Sequence, residues 1–483
     1  MGNMSLKKAA IINAASKYTT ILLNLLFSVI LSRILSPNDY GIVAIITVFT
    51  TFFITLADMG LGTAVIQNKD LCEDDINYIY TFTVYAAIFL SLVFAFGSYP
   101  ISVFYNDNVY ISLGIILSFS LLFNSLNIVP NAILLRNKRF LLVAFRTVIV
   151  YVLTGTLTII MALHGFKYYA LAIQSVLIAI FTFSWNFCST KLNFKVKVSK
   201  NSMSKVASFS AYQFGFNIIN YFARNLDNLL TGKVMGSADL GYYNKAYSLM
   251  LYPVNNLAGI ITPILHPIFS DYQKEKQIIY NKYIKVVKIL ALMGIFVSTF
   301  CFLGAREIIG IVYGQQWTKS IVCFQYLSIS VCFQMITSST GSVFQSLGNT
   351  KLLFIGGTIN AIITIIAIIA GIIIGNIESL ALCVGISYIL HFIISFYFLL
   401  VKGFELSIKK FYFDLRKEIW ISAILLFAVA LFPFKNIISL YWSFSVKFIL
   451  LGLVYLVCLL LTNEYKIFLN FIHKDNYNIA NKK

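Results

Sequence analysis

Two stretches of the chain, two hundred positions apart, carry matching series of polar side chains in apolar surroundings. The first series is Asn13, Lys17, Thr20, Asn24 and Ser28, and the second is Gln213, Asn217, Asn220, Arg224 and Asn228. Steps of three and four residues place each series on one face of a helix. Such cations, amides and hydroxyls face water or other polar groups, because lipid cannot satisfy them. The duplicated stripe therefore predicts two similar half-molecules facing each other across a hydrated path, as in many transporters.

The match continues beyond the end of each predicted helix. There the corresponding pairs are Arg33 and Lys233, Asp39 and Asp239, and Gly41 and Gly241. We expect Arg33 and Lys233 to cap helix ends, and Asp39 and Asp239 to begin the helices that follow.

The remaining reactive side chains form no enzyme-like group. The seven cysteines lie mostly within apolar segments and lack the spacing of metal ligands. The four histidines form no catalytic set with a serine or a carboxylate. The phosphate-binding motif G-x-x-x-x-G-K-[ST] is also absent from the sequence. We therefore predict that the protein is not an enzyme and has no catalytic residues, cofactor or metal site.

The elements that position these residues are predicted to be membrane-spanning helices. The chain of 483 residues is 59% apolar and 11% charged, with a mean hydropathy of +0.83, whereas soluble domains are about 25% charged. Apolar runs of about 20 residues predict an all-α polytopic membrane protein with fourteen spans. These lie near 10–34, 42–66, 79–100, 109–129, 141–162, 168–189, 206–231, 242–267, 284–304, 319–347, 352–374, 377–400, 418–433 and 436–461.

The basic residues predict the orientation of these spans. Most of the 37 Lys and Arg residues fall in alternate connections, which the positive-inside rule assigns to the cytoplasm together with both termini. The net charge of +19 then needs no nucleic-acid partner, because anionic membrane lipids lie beside these connections. The polar, basic segment 191–205 predicts a cytoplasmic linker. It separates a six-helix bundle over 1–190 from a second over 206–401, and 402–483 adds two helices and a tail.

Several short motifs resemble one family of bacterial membrane proteins. Residues 33–41, Arg-Ile-Leu-Ser-Pro-Asn-Asp-Tyr-Gly, resemble the R-x-L-x-P-x-x-[YF]-G signature of polysaccharide biosynthesis proteins. The resemblance continues in the right order through 58–62, 224–228, 236–246, 263–270, 313–317 and 345–351. These proteins are Wzx-type flippases of the multidrug/oligosaccharidyl-lipid/polysaccharide (MOP) exporter superfamily. The extended Asp-Leu-Gly-Tyr-Tyr element at 239–243 is similar to the branch with capsule, colanic-acid and teichuronic-acid exporters.

The resemblance implies a fold, a cargo and a cellular location. The implied fold is a V-shaped, MATE/MOP-like pair of six-helix bundles that alternates between inward and outward openings in the bacterial plasma membrane. The implied cargo is an undecaprenyl-diphosphate-linked oligosaccharide, flipped from the cytoplasmic leaflet for later polymerisation, with the polysaccharide polymerase machinery as a partner. A dedicated transport protein for this cargo is physically reasonable, because a diphosphate and many hydroxyls cannot cross hydrocarbon without polar partners.

Three cations are the predicted contacts for the diphosphate or for acidic sugars. They are Lys17, Arg146 and Arg224, flanked by Asn13, Asn24, Asn217, Asn220 and Asn228. Arginine grips phosphate through two nitrogens, whereas lysine acts as a point charge.

Each assignment has a structural alternative. Lys17 would snorkel to the headgroups, Arg146 would extend the preceding basic loop, and Arg224 would neutralise Asp227. Asp58 and Asp227 are candidates for ion coupling, with helix-end hydrogen bonding as the alternative for Asp58. Lys447 is expected to be structural.

Three functions remain in competition at the level of the sequence. The first is the oligosaccharide flippase, with a lipid-II flippase as a close variant. The second is a multidrug/cation antiporter of the same superfamily, which would need acidic residues deep in the spans, where this chain offers Lys17 and Arg224. The third is a membrane enzyme, which the short connections disfavour.

Overall fold

The structure is a computed structural model that describes residues 6–68, 70–196, 199, 202–203, 221, 224–273, 275–431 and 439–467. Within these ranges the chain is helical and contains no β-strand. The first helices are α1 (Leu6–Ile34), α2 (Pro37–Asp58), α3 (Leu61–Gln67), α4 (Glu73–Tyr105), α5 (Val109–Leu126), α6 (Ile128–Arg136), α7 (Phe140–Leu163) and α8 (Tyr168–Cys188). Helix α9 is described over 224–234.

The second half of the chain continues as helices with short connections. They are α10 (Ser237–Pro253), α11 (Gly259–Ser270), α12 (Lys276–Leu303), α13 (Ala305–Val312), α14 (Lys319–Ile329), α15 (Val331–Thr337), α16 (Thr340–Ser346), α17 (Thr350–Ile374), α18 (Ile377–Tyr397), α19 (Ile408–Asp414), α20 (Arg416–Leu431) and α21 (Leu440–Thr462). Single π-helical segments, Val254–Ala258 and Phe398–Gly403, follow α10 and α18.

These helices confirm the prediction of an all-α, multi-pass membrane protein. Among the described residues, eleven helices are long and apolar enough to cross a membrane. A twelfth crossing results if α14 and the segment Val331–Ser346, which bend by 45° at their junction, form one span. Large apolar side chains such as Phe89 and Phe96 are 65% and 78% exposed, as expected for surfaces that face lipid. The count of fourteen stays a prediction, because the predicted seventh and thirteenth spans fall partly outside the described ranges.

Residue contacts divide the chain into two compact units, Met1–Gly241 and Tyr242–Lys483. In the first unit, α1 packs on α7 and α5 packs on α4 and α8. In the second unit, α17 packs on α18, and α12 packs on α14 and α15. The predicted division into 1–190, 191–205, 206–401 and 402–483 stays a prediction, since its linker lies partly outside the described residues.

Local sequence determines where α2 begins and ends. The Ser36 hydroxyl accepts a hydrogen bond from the Asp39 N–H at 3.2 Å, and the Asp39 carboxylate accepts one from the Ser36 N–H at 2.9 Å. This reciprocal pair satisfies free donors at the helix start, which is the role expected for Asp39. At the other end, Met59 and Gly60 adopt φ angles of 44° and 74°, which end α2. The chain turns there, so that Asp58 is held beside the start of α3.

A break between α5 and α6 brings three asparagines together. Helix α5 ends at Leu126, and the N–H of Asn127 bonds the carbonyl oxygens of Phe123 and Asn124 at 3.1 and 3.2 Å. Pro130 occupies the first turn of α6, where its missing N–H costs no intrahelical bond. The asparagines at 124, 127 and 131 therefore flank the break.

A buried ion pair connects helix α21 to helix α13 in the second unit. Lys447 of α21 donates to both carboxylate oxygens of Glu307 in α13 at 2.8 Å and to the Leu303 carbonyl oxygen at 3.0 Å. The Ser443 hydroxyl donates to the same carboxylate at 2.7 Å. The Lys447 and Glu307 side chains are only 9% and 5% exposed. These contacts support the structural role that the sequence predicts for Lys447.

Two equivalent glycines of the repeat meet backbone to backbone inside the first unit. A Cβ added at Gly41 would collide with the carbonyl oxygen of Ser237, and one added at Gly241 would collide with that of Pro37. The Ser237 hydroxyl also bonds the Asn38 side chain. Because the colliding atoms are backbone atoms, a change of rotamer cannot relieve the overlap. The close approach therefore requires glycine at both positions.

Replacing Gly41 by Ala should lower the thermal midpoint of the protein. Forced overlap in packed regions costs about 1–3 kcal/mol. The thermal midpoint is measured by size-exclusion chromatography of heated, detergent-solubilised protein. Gly97→Ala is the matched control, because a Cβ there meets no atom within 4 Å and alanine favours a helix by about 1 kcal/mol. A Gly41→Ala protein as stable as the Gly97→Ala protein would contradict the close contact.

Candidate functional site

Arg146 lies inside the helices of the first unit, where it is hydrogen-bonded to side-chain amides and a hydroxyl. Its Nη1 donates to Oδ1 of Asn186 in α8 at 2.6 Å and to Oδ1 of Asn131 in α6 at 3.5 Å. Its Nη2 donates to the Thr147 hydroxyl at 3.2 Å. The Arg146 side chain is only 7% exposed. Its predicted role as a contact for the diphosphate or for acidic sugars stays a prediction.

The amides around Arg146 form a connected chain. Asn186 is fully buried and donates from Nδ2 to Oδ1 of Asn127 at 2.7 Å and to Oδ1 of Asn131 at 3.5 Å. One arginine and three asparagines from α6, α7, α8 and the α5–α6 break therefore share one hydrogen-bond network. The Nε of Arg146 is buried without a hydrogen-bond partner among the described residues, and the bonds made by Nη1 and Nη2 orient the surrounding side chains.

A cavity of about 290 Å³ adjoins this network. Its polar lining comes from Asp58, Thr63, Asn124, Asn127 and Asn131, and its apolar lining from Ile66, Ile128 and Ala132. Asn127 and Asn131 thus belong to both the Arg146 network and the cavity wall. The cavity and the network form one candidate site within the first unit.

Asp58 reaches this cavity from the turn between α2 and α3. Its Oδ1 accepts the N–H of Gly62 at 3.2 Å, so that the carboxylate caps the first turn of α3. The structure therefore shows the helix-end hydrogen bond that the sequence left open as the alternative for Asp58. Its predicted role in ion coupling stays a prediction.

A second, larger cavity lies beside the α6–α7 turn. It measures about 560 Å³, and its lining includes Arg136, Arg139 and Lys191. Arg136 donates to the carbonyl oxygens of Val65 and Leu71 at 3.4 and 3.3 Å, and Arg139 to that of Ser189 at 3.1 Å. Main-chain bonds thus hold two cations of the predicted basic connection at the rim of this cavity.

The other predicted contacts of the first stripe lie on α1. Lys17 is exposed and Asn24 is half-buried. The Ser16 hydroxyl, one residue before Lys17, donates to the carbonyl oxygen of Ala144 at 3.3 Å. Helix α1 therefore packs against α7 two residues away from Arg146. The Asn13 side chain lies outside the described part of the structure.

The second stripe is described only from 224 onward, together with residue 221. Arg224 is exposed on α9, and Asp227 is 5% exposed. The N–H of Asn228 donates to Oδ1 of Asp227 at 2.8 Å. Asn217 and Asn220 fall outside the described residues, so their predicted role stays a prediction.

The asparagine cluster was not among the residues predicted from the sequence. A usable signal was present, because Asn124, Asn127 and Asn131 recur at the i, i+3 and i+7 spacing of one helix face around the end of the predicted span 109–129. The fourth member, Asn186, stands alone in its span and joins the others only through packing of α8.

The chain is similar in sequence to proteins of one known family. The sequence model of a family described as "Polysaccharide biosynthesis protein" matches residues 30–322. A membrane protein encoded in the cps region of Klebsiella pneumoniae is 27% identical over 70% of this chain and 71% of its own length. The teichuronic acid biosynthesis protein TuaB of Bacillus subtilis is 23% identical over 79% of this chain and 80% of its own length.

A solved structure with the same fold supports the fold class. It is the lipid II flippase MurJ in an inward closed conformation, which superimposes with a TM-score of 0.75 over 95% of this chain and 100% of its own. The two sequences are 17% identical, so the likeness establishes the fold alone. The predicted MOP-type fold is thereby confirmed.

Proposed function

Because the chain belongs to the polysaccharide biosynthesis protein family, we propose that it is a flippase for undecaprenyl-diphosphate-linked oligosaccharides. It moves repeat units from the cytoplasmic to the outer leaflet of the bacterial plasma membrane by alternating access, for assembly of a surface polysaccharide. The observation that carries this proposal is the buried Arg146–amide network beside a polar cavity, inside helices that are otherwise apolar. Both termini lie in the cytoplasm, and the polymerase machinery receives the product.

The physical problem of this transport is to move a polar headgroup past hydrocarbon. A diphosphate carries negative charge and each sugar carries several hydroxyls, and these groups cost several kcal/mol each when they are left without partners. Side chains that offer hydrogen-bond partners inside the helical bundle remove that cost. A polyprenyl chain can stay in the surrounding lipid, since it needs no polar partner.

Lys17 and Arg224 are our proposed contacts for the diphosphate. Both are exposed on helices that carry the duplicated stripe, so their charges are accessible to a ligand. Charge-assisted hydrogen bonds to phosphate are stronger than bonds between neutral groups. The asparagines at 13, 24, 217, 220 and 228 supply amide partners for neighbouring sugar oxygens. Asp58 and Asp227 are retained as candidates for ion coupling.

Replacing Arg224 by Ala should lower surface polysaccharide by about tenfold or more, because one charge-assisted contact to the cargo is lost. Lipid-linked oligosaccharide should accumulate on the cytoplasmic face of the membrane. Arg224→Lys should recover part of the export, since lysine keeps the positive charge but cannot form the bidentate hydrogen bond that a guanidinium makes to phosphate. The measurement compares surface polysaccharide with cytoplasm-facing lipid-linked oligosaccharide in the native host, at equal membrane expression. Arg416→Ala, another exposed arginine, is the control.

Other outcomes would favour other functions. Normal export by both Arg224 variants would place this residue outside the substrate path. If expression of this protein raised the resistance of the host to cationic drugs and left the amount of surface polysaccharide unchanged, the protein would be a multidrug antiporter. If this protein restored the growth of a strain that lacks its own lipid-II flippase, lipid II would be the cargo.

A further inference from the structure

The cavity beside the Arg146 network has the dimensions of a small polar ligand. Its volume of about 290 Å³ corresponds to roughly ten water molecules at about 30 Å³ each. One sugar ring fits that space, and the cavity is open, so that the rest of an oligosaccharide would lie outside it. Its polar lining combines one carboxylate, three amides and one hydroxyl.

The hydrogen bonds of Arg146 determine which way each amide points. A guanidinium only donates hydrogen bonds, so the Asn186 atom 2.6 Å from Nη1 must be the oxygen. The amide nitrogen of Asn186 then faces Asn127 at 2.7 Å, and the Asn127 atom that receives it must also be an oxygen. This leaves the NH₂ group of Asn127 directed away from the network. This order follows from the chemistry of arginine, which can only donate hydrogen bonds.

The Asn131 amide is oriented in the same way, because the atom that faces a hydrogen-bond donor must be an oxygen. Its Oδ1 lies 3.5 Å from both Nη1 of Arg146 and Nδ2 of Asn186, and both of these atoms are donors. Its NH₂ group is therefore the part that remains for the cavity. Two amide donors, from Asn127 and Asn131, consequently serve the same small space.

The rest of the polar lining offers acceptors. The NH₂ group of Asn124 donates to the carbonyl oxygen and the hydroxyl of Ser120 at 2.9 and 3.2 Å. The amide oxygen of Asn124 is therefore the atom available to the cavity. Asp58 uses Oδ1 to accept the Gly62 N–H, and a carboxylate has further acceptor positions. The cavity thus combines two donors with two acceptor groups.

We propose that this cavity binds one sugar ring of the transported oligosaccharide through Asn127, Asn131, Asn124 and Asp58. The proposal rests on the flippase function above. Each sugar hydroxyl donates one hydrogen bond and accepts others, so neighbouring hydroxyls match a wall that offers both kinds of group. Two amide donors disfavour a bare cation, and the Asp58 carboxylate disfavours a phosphate. Arg146 acts as a positioning residue, because it reaches the ring only through the amides that it orients.

Binding of two lipids to the purified full-length protein in nanodiscs tests this site. The first probe is the undecaprenyl-diphosphate-linked oligosaccharide extracted from the host, and the second is undecaprenyl diphosphate without sugar. The key variant is Asn127→Asp, which replaces the cavity-facing donor by an acceptor with almost no change in volume. Asn193→Asp, the same substitution at an exposed residue, is the matched control. Thermal midpoints check that each variant is folded.

We expect Asn127→Asp to weaken binding of the sugar-bearing lipid by about tenfold and to leave binding of the sugar-free lipid unchanged. Asn131→Asp should act in the same way, so the test does not depend on the folding of one variant. Equal weakening of both lipids, or of neither, would overturn the sugar site while leaving the flippase function intact. Failure of the unmodified protein to bind either lipid would instead overturn the flippase function.

Discussion

Replacing Arg146 by Lys should preserve much more export than replacing it by Gln, although Gln resembles the surrounding amides more closely. Lysine, like arginine, only donates hydrogen bonds, so it still requires the oxygen of Asn186 to face it. Glutamine can donate or accept, and the direction of the whole amide chain is then no longer determined. Arg146→Gln and Arg146→Leu should therefore lower export by about tenfold or more, the value of one or two lost hydrogen bonds to a charged group.

The comparison is made on surface polysaccharide at matched membrane levels, with the thermal midpoint of each purified variant as a second readout. Arg416→Gln on α20 is the control for loss of an exposed arginine. If Gln supports export as well as Lys, the direction of the amide chain does not matter and the positioning role of Arg146 is wrong. A low midpoint for Lys and Gln alike would show that packing at this position dominates.

Replacing Lys447 by Met should destabilise the second unit strongly. The substitution leaves the buried Glu307 carboxylate with hydrogen bonds from the Ser443 hydroxyl and its own backbone N–H, but without the ammonium group that pairs with it. Removing one partner of a buried ion pair costs about 3–5 kcal/mol, because the remaining charge has no compensation. Methionine fits the space of the lysine stem, so the loss would reflect the charge rather than a cavity.

A double substitution separates charge from packing at this pair. Adding Glu307→Gln to Lys447→Met removes the uncompensated charge and should recover most of the thermal midpoint. Lys276→Met is the control, because its ion pair with Glu405 is 44% and 72% exposed and such surface pairs contribute about 0–1 kcal/mol. Equal midpoints for Lys447→Met and Lys276→Met would show that the buried pair contributes no more than a surface pair.

Much of the fold could be predicted from the sequence. The long apolar runs coincide with helices such as α7 and α17, whose bounds lie within a few residues of the predicted spans. The start of α2 was also predictable, because Ser36, Pro37 and Asp39 carry a local capping pattern. Local rules succeed here because helix formation and capping depend on neighbours within one turn.

The candidate site was predictable only in part. Arg146 stood out as a cation within a span, but its contacts with Asn186 and Asn131 join residues 40 and 15 positions away. The helix periodicity of Asn124, Asn127 and Asn131 predicts a shared face, but it does not say which neighbour that face meets. The repeat likewise pairs Gly41 with Gly241, and only the folded chain shows that these glycines lie against each other's backbones.

The sequence by itself determined that this protein is a multi-pass helical membrane protein with a duplicated polar pattern. It could do so because the cost of burying polar groups in lipid restricts both composition and periodicity. Only the tertiary structure decided that Arg146 is bonded to amides, that Asp58 caps α3, and that a polar cavity lies between them. These features depend on which helices pack together, and a hydrogen bond between distant residues has no signature in the spacing of either one.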